Sequence, residues 1–98
     1  MAVQHIVWLQ PRDGTGAGTM DEILAAIRGL ETRVPGVSAI SAGSNFTQRA
    51  AGYSHGAIIT LQSREALQPY LDHPEHQRVG ALIRRHCDVL VMDYEDGA

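Results

Sequence analysis

An α+β fold, running β-α-β-β-α-β around one four-stranded antiparallel sheet with its helices on a single face, is what this 98-residue sequence predicts. Three observations carry the prediction. The chain opens on AVQHIVWL and closes on CDVLVMDY, two runs rich in strand-forming residues and free of glycine and proline. Between Thr19 and Arg33 apolar residues recur at spacings of three and four, the period of a helix with one buried stripe. Two further strand-like runs then precede a second helical stretch that Pro74 divides.

Residues 2–9 form the first strand. Its period of two puts Val3, His5, Val7 and Leu9 on one face and Gln4, Ile6 and Trp8 on the other. Both faces are largely apolar, so both need cover. The loop QPRDGTGAG at 10–18 lacks the spacing of a dinucleotide fingerprint and the lysine of a P-loop, so it reads as a flexible connection. Thr19-Met20-Asp21-Glu22 has the form of a capping box, with threonine at the N-cap. The helix runs on to Thr32 or Arg33, with Met20, Ile23, Leu24, Ile27 and Leu30 inward, and Pro35-Gly36 stops it.

Residues 37–43 make a second strand and 46–52 a polar loop. Residues 53–61 make a third strand, with Tyr53, His55, Ala57, Ile59 and Leu61 on one face. Gly56 leaves room for close approach on the other. Ser63 caps a short helix over 64–71. Pro74 cannot continue that helix but suits the first turn of a new one, so Asp72 or His73 is the N-cap of a helix reaching Arg85. Residues 87–94 are the last strand. The order is the ferredoxin-like one. Its second sheet face would carry Ile6, Trp8, Leu90 and Met92, an apolar patch that a homodimer, sheet against sheet, covers most simply.

The length sets one domain, residues 1–98. A net charge of −3 and a pI near 5.9 leave no basic stripe for nucleic acid, and the lone basic cluster Arg84-Arg85-His86 suits a helix C-terminus. No apolar run reaches the roughly 20 residues that span a bilayer, and no signal peptide is evident, so no membrane partner and a cytoplasmic location are expected. Single Cys87 excludes an internal disulfide and reads as a small core residue. Lysine is absent while alanine and glycine abound, a bias of GC-rich bacterial genomes.

The chemistry concentrates in ALQPYLDHPEHQ, residues 66–77. His76 stands in the first turn of the helix that Pro74 starts, where the dipole disfavours an imidazolium and keeps a base neutral. Tyr70, one turn before the break, is placed to polarise a carbonyl or hold an enolate. The same residues also fit a plain reading, with Tyr70 packed on the sheet and His76 bonded to a nearby carbonyl. His5 and His55, strand residues of one parity, decide nothing alone. His73-x-x-His76 lacks the spacing of a zinc site, so no metal and no cofactor are expected, and no spacing singles out a haem ligand.

Taken together VQHIVWL, GYSHG, LQPYLDHPEH and DVLVMDYE resemble the stress-responsive A/B-barrel (Dabb) family of dimeric α+β barrels, over nearly the whole chain. The resemblance implies a homodimer and a pocket between sheet and helices. By similarity to a plant polyketide-cyclising member, it places the catalytic tyrosine on Tyr70, the catalytic histidine on His76 and two further pocket histidines on His5 and His55. Val7, Leu9, Ile23, Leu24 and Ile27 would bind substrate, the last three replacing bulky aromatics of that member. Two functions follow as expectations. One is a cofactor-free cyclase, lyase or isomerase, with His76, Tyr70 and His5 catalysing proton transfer on a polyketide-like or other carbonyl substrate. The other is a non-catalytic stress-responsive homodimer binding a small hydrophobic ligand.

Overall fold

Strand β1 (Val3–Pro11) is the centre of a computed structural model that describes residues 1–97, and every other element packs around it. It pairs antiparallel with β3 (His55–Leu61) on one side and β4 (Cys87–Glu95) on the other; β2 (Val37–Ser44) adds to β3, giving the order β2-β3-β1-β4. Helices α1 (Ala17–Gly29), α2 (Leu67–Asp72) and α3 (Pro74–His86) complete the ferredoxin-like order, with 3-10 turns at Leu30–Thr32 and Arg64–Ala66. Val3, Val7 and Leu9 point into the core with Ile23, Ile59 and Leu61. Cys87 is buried there too, its Sγ 3.7 Å from Met20 Sδ.

Register explains the two faces. His5 lies opposite Ile59 and Asp93, Ile6 opposite Ile58 and Met92, and Trp8 opposite Gly56 and Leu90. The helix face is therefore odd-numbered along β1 and β4. The outward face keeps Trp8, Leu90 and Met92 at 42%, 53% and 63% exposure. A Cβ on Gly56 would stand 3.5 Å from the Val7 carbonyl oxygen and 4.0 Å from the Trp8 ring, ordinary contact distances. The expected close approach over Gly56 is therefore not made within the described residues.

Two local expectations are corrected. Helix α1 starts at Ala17 with Gly16 at its N-cap and no side-chain cap, so Thr19 lies inside the first turn. Met20 donates to the Gly16 carbonyl at 3.2 Å, and burying Met20 rewards that extra turn. Strand β3 starts at His55, not Tyr53, because Ala51 and Gly52 adopt φ of 52° and 91° and hold Tyr53 in a turn to Ala50. The Pro74 break is as expected: His73 caps α3, its Nδ1 accepting from the Glu75 amide at 3.1 Å.

Candidate functional site

The break between α2 and α3 aims two polar side chains at the end of β1 that carries His5. Tyr70 lies in the last turn of α2, facing the sheet, and is 2% exposed. His76 returns from the first turn of α3. The Tyr70 ring stands between the two imidazoles, its centroid 5.5 Å from that of His5, nearly edge-on, and 4.6 Å from that of His76. The three rings line one cleft of about 270 Å³ between β1, β4 and the helices, with Val7, Ile27 and Val79 among its apolar walls.

Hydrogen bonding assigns each ring its free atom. His76 Nδ1 lies 3.0 Å from the Leu71 carbonyl, which only accepts, so Nδ1 carries the proton and Nε2 keeps its lone pair when the ring is neutral. Burial pushes the His76 pKa down, partly offset by the Leu71 bond; the charges of His5 and Arg84 lower it further. At neutral pH the ring is a free base. Tyr70 behaves oppositely: burial, with the charge of Asp93, pushes its pKa up to about 12, so the phenol remains a hydrogen-bond donor. No buried side-chain oxygen or nitrogen lacks a partner among the described residues. The Tyr70 hydroxyl, which has no partner among the described residues, therefore opens to the cleft.

Asp93 joins the site through β4. Its Oδ1 is 2.5 Å from His5 Nδ1, which orients the imidazole and directs Nε2 away from the carboxylate. Asp93 is not among the residues singled out from the sequence. The signal for it was present in register: two antiparallel neighbours of matching parity place it beside His5.

Of the residues singled out from sequence, His5, Tyr70, His76, Val7 and Ile27 share the cleft. Leu9, Ile23 and Leu24 are buried in the core and do not line it. His55 pairs with Leu9, four residues along β1 from His5, and its Nδ1 is 2.7 Å from Ser54 Oγ. It lines a separate depression with Trp8 and Tyr53. Among the described residues no three His, Cys, Asp or Glu side chains are grouped to hold a metal, and no helix is long and apolar enough to cross a membrane.

Comparison with known proteins extends these observations. The family model described as the stress responsive A/B barrel domain matches residues 3–96. Olivetolic acid cyclase of Cannabis sativa is 29% identical over 97 residues, 96% of each chain. A dimeric ferredoxin-like protein of unknown function from Jannaschia sp. CCS1 superposes with a TM-score of 0.80 at 33% identity, covering 97% of this chain and 99% of the other. A hydroxynitrile lyase from Passiflora edulis gives a TM-score of 0.88 at 19% identity, covering 99% and 96%, a likeness of fold alone.

Proposed function

The chain belongs to the stress-responsive A/B-barrel domain family, and from that premise we propose that it is a small enzyme catalysing proton transfer on a carbonyl substrate, of the aldol-cyclising, lyase or isomerase type. The observation that carries the proposal is the file His5–Tyr70–His76 along one apolar cleft, with a neutral base and a protonated phenol side by side.

In this reading His76 Nε2 removes a proton from the carbon beside a carbonyl, and the electron pair moves to the carbonyl oxygen as an enolate. The Tyr70 hydroxyl donates a hydrogen bond to that oxygen as its charge grows. In a polyketide-like substrate the enolate carbon then attacks a second carbonyl of the same molecule. The new C–C bond forms as that C=O becomes an alkoxide, which takes its proton back from the His76 imidazolium. His5, its Nδ1–H held by Asp93, presents the Nε2 lone pair and accepts a hydrogen bond from an enol hydroxyl of the substrate, which orients the substrate. The chain supplies base, donor and fit, and folding the substrate into a reactive conformer contributes much of the rate. The similarity to olivetolic acid cyclase favours cyclisation within this class.

A homodimer through the outward sheet face belongs to the same proposal. Trp8, Leu90 and Met92 expose a contiguous apolar surface there, and the Jannaschia neighbour is described as dimeric. The test of function is turnover of β-polyketo acids and aromatic keto acids by wild type and His76→Ala, with melting temperature recorded for both. Loss of turnover in a folded variant is expected. A wild type that binds these compounds without turning any over would leave a ligand-binding dimer as the function.

A further inference from the structure

His76, Gly80 and Arg84 follow at intervals of four along α3, so they form one stripe, and all three line the cleft. Arg84 lies in the last turn with Arg85 and His86, where the helix dipole favours cations. The dipole accounts for the group of charges but not for where this one points. Long helical side chains fold back toward the N-terminus, and the Arg84 guanidinium does so against Gly80. A Cβ on Gly80 would stand 3.2 Å from Arg84 Nη1 and 3.7 Å from Nη2. The missing methyl lets the guanidinium settle there.

Five other arginines are engaged, while Arg49 and Arg85, like Arg84, have no acid within ion-pair distance among the described residues but do not line the cleft. Arg12 pairs with Asp88, Arg33 and Arg78 with Glu75, Arg64 with Glu95, and Arg28 donates to the Ala42 carbonyl. Among the described residues Arg84 has no carboxylate within ion-pair distance, and the cleft's own acid, Asp93, is bound to His5. A forked cation without an anion thus stands on the wall of a cleft whose base is His76.

We propose that Arg84 is an anion subsite that takes the carboxylate of a keto acid and so sets which carbon lies over His76. The inference rests on the proton-transfer reading and narrows its substrate class from carbonyl compounds to keto acids. Spacing supports it: a guanidinium level with Gly80 is about 6 Å along the helix axis from His76, four residues at 1.5 Å each. A carboxylate on a short carbon chain spans that distance, and the guanidinium fork matches its two oxygens.

The experiment compares 3,5,7-trioxooctanoate, whose C2 enolate can close a six-membered ring on the C7 carbonyl, with its methyl ester, titrated into the full chain while the His76 ring resonances and turnover are followed. Wild type is expected to bind the acid up to about fivefold tighter than the ester, the scale of an ion pair at an exposed guanidinium. Arg84→Gln should erase that preference, and Arg84→Lys should keep part of it. Gly80→Ala, whose new Cβ would stand 3.2 Å from Arg84 Nη1 and shift the guanidinium slightly, should narrow the preference for the acid over the ester. Arg84→Lys carries the test if Arg84→Gln does not fold. Equal binding of acid and ester by wild type, equal loss of both in Arg84→Gln, or no binding of either overturns the subsite. Selective binding of the acid without turnover leaves the subsite standing and overturns the proton-transfer reading. His76-dependent turnover of acid and ester alike does the reverse.

Discussion

Replacing Tyr70 by phenylalanine separates a catalytic hydroxyl from a structural ring. The ring is almost fully buried between two imidazoles, and phenylalanine preserves it. The hydroxyl itself has no partner among the described residues, so its removal orphans no other group there. Stability should change by less than about 0.5 kcal/mol, a melting shift of roughly 2–4 °C at most for a domain this size. Activity should respond quite differently. Losing one donor to an oxyanion costs on the order of 10²–10³ in kcat, about 3–4 kcal/mol. Alkaline titration supplies an independent check. With a folded pKa of about 12 against 10 unfolded, Tyr70 stays protonated while the unfolded chain ionises, so its contribution is full below pH 10 and is lost as pH rises to 12. That window is worth about 2–3 kcal/mol. The assays are thermal melting, turnover of a β-polyketo acid and tyrosinate absorbance. A variant that melts far below wild type, or turns over at the wild-type rate, refutes the role given to the hydroxyl.

Three further outcomes follow from the same structure. Because the His76 pKa is lowered, the unfolded chain binds the extra proton first as pH falls below 6.5; His76 therefore contributes stability above that value and loses it on acidification. Turnover should accordingly persist below pH 6.5, and a pH-rate profile whose acidic limb lies above it would contradict the lowered pKa. Met92→Glu should convert a dimer to a folded monomer in light scattering, since a free β4 tolerates the charge and a closed interface does not; an unchanged mass would place the interface elsewhere. Gly36→Ala should cost about 1–2 kcal/mol in chemical denaturation, because Gly36 has φ of 88° and its new Cβ would stand 3.1 Å from Ala66 Cβ. A neutral result would mean the turn relaxes freely.

Element order along the chain, the helix break and the buried stripe of α1 were legible because period and proline chemistry are local. The start of α1 was not. A good capping box at Thr19 competes with a Gly-Ala-Gly segment that takes helical angles at little steric cost, and the burial of Met20 decides between them. The three-ring file was legible in part: Tyr70 and His76 lie close in sequence, and His5 has the right parity. Which apolar residues face the cleft was harder, since parity puts Leu9 on the same face as Val7 but does not say where along β1 the cleft ends. Asp93 needed the register between first and last strands, a long-range fact that no local pattern contains.

The central claim is that His76 takes a proton from a carbon beside a carbonyl. Its most direct test is deuterium exchange at the acidic carbon of 3,5-dioxohexanoate in D2O, with wild type and His76→Ala compared at equal concentration and both shown to be folded. Exchange above the buffer rate in wild type, returning to that rate in the variant, is the predicted result. Exchange by the folded variant equal to wild type, or none by either, would contradict it.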